Sequence, residues 1–208
     1  MKNLQSFLLL IIIQSFLVFF SKELLETNQV FVSSLSEKIS YDQINEILAF
    51  KEKWGWIVYI FIPILLFIKI VIITTVINIG CFLFGKNISY SQIFNITIKS
   101  EFIFLLVIVF KTAWFYFFEQ DYNLNDLQFF YPLSALNIVG YEGIDPWWIY
   151  PLQVFNLFEL AYWFILAYLI GKAINSDTDK GINIVASSNG VALLIWVVGV
   201  MFFTLNVS

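Results

Sequence analysis

The stretch Trp56–Phe84, WIVYIFIPILLFIKIVIITTVINIGCFLF, decides the fold. Its 29 residues contain a single charge, Lys69, and a single proline, Pro63. About 20 apolar residues in a helix cross the roughly 30 Å of hydrocarbon in a bilayer, so this stretch is long enough for one crossing but too short for two. We therefore predict one tilted or kinked transmembrane helix, with a helical hairpin as the alternative.

The composition of the whole chain agrees with a membrane location. Apolar residues make up 60% of the 208 residues and charged residues only 12%, whereas soluble domains carry about 25% charged residues. The chain has neither histidine nor arginine, and its only cysteine is Cys81. The commonest metal ligand, the usual neutral-pH general base and an internal disulfide are therefore excluded. We predict an integral membrane protein of one domain, with no catalytic, cofactor-binding or metal-binding residue.

Five apolar segments predict an all-α, polytopic membrane helical bundle that covers residues 1–208. The predicted spans are 4–20, 56–84, 102–118, 148–170 and 184–205. The first span follows Lys2 as a secretory signal would, but it lacks a small-x-small cleavage site, so we interpret it as an uncleaved anchor. Ser40-Tyr41-Asp42-Gln43 has the form of a capping box and predicts a short interfacial helix over 41–53.

The loop between the third and fourth spans determines the predicted orientation. Residues 119–147 contain five acidic residues and no lysine, which suits the outer face of a membrane. An inner amino terminus places Lys2, Lys86, Lys99, Lys172 and Lys180 inside and Lys22, Lys38, Lys51 and Lys53 outside. We predict an inner amino terminus, an outer carboxyl terminus and, from the arginine-free composition, a bacterial inner membrane.

Charges within the predicted spans are candidate functional residues because each costs a few kcal/mol unless it is paired or hydrated. Lys69 and Glu159 lie near the centres of the second and fourth spans, so we predict an interhelical ion pair between them. The pair either locks two helices together or lines a path for an ion or polar substrate. Lys111 lies near the outer end of its span and is expected to extend toward the interface, and Glu101 is expected at the inner surface, where a helix amino terminus favours a carboxylate.

The outer loop 119–147 has more large apolar side chains than a solvated connection needs. Candidate contact residues in it and directly after it are Phe129, Phe130, Tyr131, Tyr141, Trp147 and Trp148. Two interpretations remain open. The loop is either a re-entrant or interfacial lid that packs on its own helices, or a docking face for a partner protein.

Two motifs resemble the Yip family, the five-span membrane proteins named for their interaction with small Ypt/Rab GTPases. One is the turn Phe84-Gly85-Lys86-Asn87-Ile88-Ser89. The other starts at Trp148-Ile149-Tyr150-Pro151-Leu152 and continues through Asn156-Leu157-Phe158-Glu159-Leu160. The resemblance covers about residues 50–205 and implies five spans and a non-enzymatic protein that shapes, sorts or assembles membrane partners. The Asp-Leu-Tyr-Gly-Pro motif of eukaryotic members is absent, so the resemblance transfers neither GTPase binding nor any functional residue.

Together these features predict a non-enzymatic accessory subunit or scaffold of a membrane complex. Its expected partners are the lipid bilayer and another membrane protein or further copies of itself, and the net charge of −4 argues against nucleic acid. The alternative is a small transporter or channel that uses Lys69 and Glu159 at mid-membrane depth. An intramembrane enzyme is disfavoured because histidine is missing and no serine lies at an evident nucleophile elbow.

Overall fold

The computed structural model describes residues 2–36 and 39–207, with only the backbone of Lys2. Lys38, assigned above to the outer side, lies outside these residues. The chain is an all-α membrane protein in which 82% of the residues are helical. Within the described residues, four helical stretches are long and apolar enough to cross a membrane, namely Asn3–Leu24, Ile57–Leu83, Tyr90–Phe117 and Thr178–Val207.

The helices of the described residues are numbered in chain order. They are α1 (Lys2–Leu24), α2 (Thr27–Ser36), α3 (Tyr41–Trp54), α4 (Ile57–Leu83), α5 (Tyr90–Glu101), α6 (Ile103–Phe117), α7 (Leu124–Phe129), α8 (Ala135–Val139), α9 (Pro146–Val154), α10 (Leu157–Ala173), α11 (Thr178–Val185) and α12 (Val191–Val207). A π-helical turn, Ala186–Gly190, joins α11 to α12. The helix predicted over 41–53 is present as α3, and Ser40 and Gln43 form its capping box.

Hydrogen bonds between distant segments show which ends of the helices lie together. At one end, the Asn3 amide donates to the Ser91 carbonyl over 3.0 Å, and the Asn95 amide donates to Asn3 Oδ1 over 2.9 Å. At the other end, the Tyr122 hydroxyl donates to the Leu25 carbonyl over 2.9 Å. The outer loop therefore lies at the same end of the bundle as the connection between α1 and α4, opposite the amino terminus.

Two groups of buried apolar residues hold the bundle together. The hairpin core joins α4, α5, α10 and α11 and consists of Ile77, Cys81, Ile93, Ile96, Tyr162, Leu166, Ala167, Ile170, Ile184 and Val185. The amino-terminal core joins α1, α4, α5 and α6 and consists of Leu10, Leu66, Ile70, Ile98 and Leu105. Helices α4 and α5 belong to both cores, and a hydrogen bond of 3.3 Å between the Thr74 and Thr97 hydroxyls joins them.

The third span is longer than the sequence pattern predicted. Helices α5 and α6 follow each other with one intervening residue, so the predicted span 102–118 covers only the second half of the 28-residue stretch Tyr90–Phe117 and one residue beyond it. The Ser89 hydroxyl caps the start of α5 by accepting from the Gln92 N–H over 3.3 Å. Glu101 therefore lies inside this stretch, and the prediction that it begins the span at the inner surface was wrong.

The predicted fourth span, 148–170, is not one continuous helix. It is divided into α9 and α10 at Phe155 and Asn156. Lys69 lies twelve residues after the start of the 27-residue α4, near its middle. The Tyr162 ring centre lies 5.7 Å from Lys69 Nζ, so Tyr162 is level with the middle of α4. Asn156 precedes Tyr162 by six residues, about 9 Å of helix. The interruption therefore lies within the length of α4, at membrane depth.

Part of the outer loop reaches the same depth. Ser134 and Asn156 form an antiparallel bridge, in which the Ala135 N–H donates to the Phe155 carbonyl over 2.9 Å and the Leu157 N–H donates to the Leu133 carbonyl over 3.2 Å. Ser134 and Asn156 are both buried. This pairing satisfies backbone groups that no water could reach in the bilayer. The segment around Ser134 therefore folds back onto the start of α10.

Candidate functional site

Lys69 is the centre of a polar site near the middle of α4. Its ammonium donates a hydrogen bond of 2.8 Å to Glu101 Oε2, across from α4 to α5. The same ammonium lies 4.1 Å from the ring centre of Phe104 and 5.7 Å from that of Tyr162. A carboxylate and two aromatic faces thus stabilise a charge that hydrocarbon alone would strongly disfavour.

The two partners of this ion pair differ in exposure. The Glu101 side chain is 2% exposed, whereas the Lys69 side chain is 45% exposed. Glu101 Oε1 and the Tyr162 hydroxyl are buried and have no hydrogen-bond partner within the described part of the chain. A buried polar atom without a partner costs free energy. Glu101 Oε1 can still accept a hydrogen bond, and the Tyr162 hydroxyl can still donate one.

A crevice opens beside the Lys69–Glu101 pair between α1, α4 and the α5–α6 stretch. Its cavity volume is about 310 Å³. Its polar lining residues are Gln14, Lys69 and Glu101, and its apolar lining residues are Ile62, Leu65, Leu66, Phe104, Leu105 and Ile108. The site is therefore a largely apolar pocket with one polar end, beside the middle of α4.

The predicted pairing of Lys69 with Glu159 was wrong. Glu159 instead accepts a hydrogen bond of 2.8 Å from the Trp163 indole N–H, one turn later on α10. Glu159 also lies in the first turn of α10, where the helix dipole favours a carboxylate. It therefore does not need the lysine as a direct partner, and Lys69 binds the acidic residue that faces it from α5.

The interruption between α9 and α10 is closed by its own hydrogen bonds. The Asn156 amide donates to the carbonyls of Gln153 and Val154 over 2.8 and 2.9 Å. Asn156 Oδ1 accepts from the Glu159 N–H over 2.8 Å and so caps α10. Broken membrane helices often bind ions through free carbonyls, but here the chain itself occupies these groups.

Lys111 extends toward the loop end of α6. Its ammonium donates a hydrogen bond to the Leu127 carbonyl in α7. This carbonyl lies in the last turn of α7, so it has no partner within the helix. Lys111 thus fastens the outer loop to α6 and has no contact with the Lys69 site.

Three of the six aromatic residues proposed as a docking face pack against other parts of the chain. Phe130 stacks on Trp114 at 5.6 Å between ring centres and meets Phe115 edge-on at 5.0 Å. Phe129 packs against Tyr141 at 5.0 Å, and the Tyr141 hydroxyl donates to Asp126 over 2.8 Å. That hydrogen bond to a carboxylate raises the pKa of Tyr141. This packing agrees with the re-entrant lid.

The three remaining candidates lie around the lid. Tyr131 and Trp147 are half-buried. Trp148 packs against Trp147 at 4.7 Å between ring centres and remains 44% exposed. Among all the candidate contact residues, Trp148 is therefore the one that the described residues leave most open to a partner.

Sequence analysis missed Glu101 as the partner of Lys69, although a signal for it was present. Ser89-Tyr90-Ser91-Gln92 marks a helix start twelve residues before Glu101, which is about 18 Å of helix. Within the described residues, no three acidic or cysteine side chains come together as a metal site requires.

No family model, curated protein or solved structure matches this chain.

Proposed function

We propose that this chain is a non-enzymatic accessory subunit or scaffold of a membrane complex. The observation that carries the proposal is the exposure of α12, the last helix in chain order. None of its residues is buried, whereas α4, α5, α6 and α10 all contribute buried residues. A membrane helix with this much uncovered surface suits lateral association with a second protein.

The surface of α12 is large and aromatic. Trp196, Phe202 and Phe203 are 62%, 69% and 71% exposed. The helix is held mainly by α9, through contacts that include a hydrogen bond of 2.8 Å from the Trp196 indole to the Tyr150 hydroxyl. A Cβ placed on Gly199 would meet no atom within 4 Å. Close approach at small residues stabilises helix pairs in membranes, so Gly199 is where a partner helix fits best.

The proposal includes a location and an orientation. An inner amino terminus is supported by the lysine-free, acidic loop 119–147, because lysine is retained on the cytoplasmic side. A bacterial inner membrane is supported by the arginine-free composition of the chain. The loop lies at the same end of the bundle as the connection between α1 and α4. Membership of the bacterial branch of the Yip family is part of the same proposal and rests on the Phe84–Ser89 turn and the Trp148–Leu160 motif.

Co-purification tests this function directly. The tagged chain, extracted from its native membrane in mild detergent, should retain a different membrane protein in stoichiometric amount. Gly199→Leu should release that protein because the added side chain keeps a partner helix away, and the matched Val198→Leu change should retain it. A chain that stays monomeric in both detergent and lipid nanodiscs would contradict the proposal.

A small transporter or channel is the second candidate. It is favoured by the Lys69–Glu101 pair, since charged residues inside membrane-spanning helices mark substrate paths in other membrane proteins. This function predicts a homo-oligomer without foreign subunits. It also predicts ion or solute flux in proteoliposomes that falls at least tenfold in Lys69→Gln. The absence of flux from an intact homo-oligomer would exclude it.

A further inference from the structure

We infer that the crevice beside Lys69 is a binding site for the hydroxyl head group of a neutral membrane lipid. The inference rests on two observations: a cavity of about 310 Å³ beside Lys69, near the middle of α4, and a buried carboxylate oxygen, Glu101 Oε1, that has no hydrogen-bond partner among the described residues. It is independent of what covers α12.

The polar end of the crevice has both a hydrogen-bond acceptor and donors to offer. Glu101 Oε1 can accept a hydrogen bond. Lys69 directs one hydrogen bond to Glu101 Oε2, and an ammonium carries two further donors. The side-chain amide of Gln14 on α1 also lines the cavity. A hydroxyl group donates one hydrogen bond and accepts others, so it satisfies both kinds of group at once.

Charge balance favours a neutral head group over an ionic one. Lys69 and Glu101 compensate each other, so the pair leaves no net charge to balance an anionic or a cationic head group. Bringing an additional charge to this depth costs at least a few kcal/mol. An alcohol adds no charge and replaces the missing partner of Glu101 Oε1.

The walls of the crevice suit a hydrocarbon chain. Apart from the three polar residues its lining is aliphatic or aromatic, and the volume is at the lower end of the range for small-molecule sites. Leu65 lines the cavity and is 59% exposed, and its neighbour Ile68 is 47% exposed. A lipid alcohol can therefore enter sideways from the bilayer, with its chain remaining in hydrocarbon.

Photoaffinity labelling of the full chain in lipid nanodiscs tests this site. The probe is hexadecanol with a diazirine group near its hydroxyl end. The expected labels fall on the peptides that contain Gln14, Leu65 and Phe104. Unlabelled hexadecanol should compete about tenfold better than its methyl ether, because the ether lacks the donor for Glu101 Oε1. Diacylglycerol and a polyprenol serve as further competitors and show which natural alcohol fits.

Matched variants link the label to the crevice. Leu65→Trp fills the cavity and should reduce labelling at least fivefold, whereas Ile72→Trp, an exposed position of α4 outside the cavity, should leave it unchanged. Equal competition by the ether, equal or better competition by palmitate, or equal labelling of the two variants would overturn the inference.

Discussion

The hairpin core and the amino-terminal core use the same two helices, α4 and α5, but pack in different ways. In the hairpin core, Gly181 brings α11 so close to α10 that a Cβ there would lie 1.9 Å from the Ala167 carbonyl oxygen. The amino-terminal core contains the 310 Å³ crevice and a half-exposed lysine. One side of the α4–α5 pair is thus closed by backbone contact, and the other side keeps room for a ligand.

Gly181→Ala should have the largest effect because it breaks the closed side. The added methyl group cannot avoid the backbone of Ala167, since no side-chain rotation moves it. We expect a loss of about 4 kcal/mol, measured as the folded fraction in fluorescence-detected size-exclusion chromatography after graded heating. Gly199→Ala is the matched control because its Cβ meets nothing within 4 Å. Equal losses in the two variants would show that α10 and α11 are not in close contact.

Lys69→Leu should have the second-largest effect, at the boundary between the two cores. It leaves the buried Glu101 carboxylate without its counter-charge, which we expect to cost about 3 kcal/mol. Glu101→Leu should cost less, because Lys69 is 45% exposed in the crevice. The double variant Lys69→Leu/Glu101→Leu should recover most of the stability in the same heating assay. If Glu101→Leu lowers the stability more than Lys69→Leu does, Glu101 is not the more buried partner of the ion pair.

Local patterns in the sequence predicted the continuous parts of this fold. The apolar run 56–84 appears as α4, and the Ser40–Gln43 box starts α3, because hydropathy and capping depend on adjacent residues. The interruption at Asn156 was missed because the apolar run 148–170 continues through it, although Asn156 caps α10 by accepting a local hydrogen bond from the Glu159 N–H. The backbone bridge that pairs with it comes from Ser134, a residue far away in the chain. The partner of Lys69 was missed because it is determined by the way α4 packs on α5.

Glu159→Gln should have a smaller effect, about 1 kcal/mol. The amide oxygen of glutamine can still accept the Trp163 indole hydrogen bond, and Glu159 has no ion-pair partner in the described structure. A double-mutant cycle separates the two acidic residues. Lys69 and Glu159 should couple by less than about 0.5 kcal/mol, and Lys69 and Glu101 by more than about 1.5 kcal/mol. The reverse order would restore the pairing predicted from sequence.

Removing the two serine caps should have the smallest effect. It tests whether a helix that contributes to both cores responds differently from a helix that contributes to neither. Ser40 and Ser89 each cap a helix by accepting from the N–H of a glutamine three residues later, so each alanine substitution should cost about 1 kcal/mol locally. Helix α5 contributes to both cores and α3 to neither. Ser89→Ala should therefore lower the temperature of global unfolding, whereas Ser40→Ala should only speed hydrogen exchange at the start of α3. Equal shifts in global unfolding would mean that α3 is as tightly coupled to the bundle as α5.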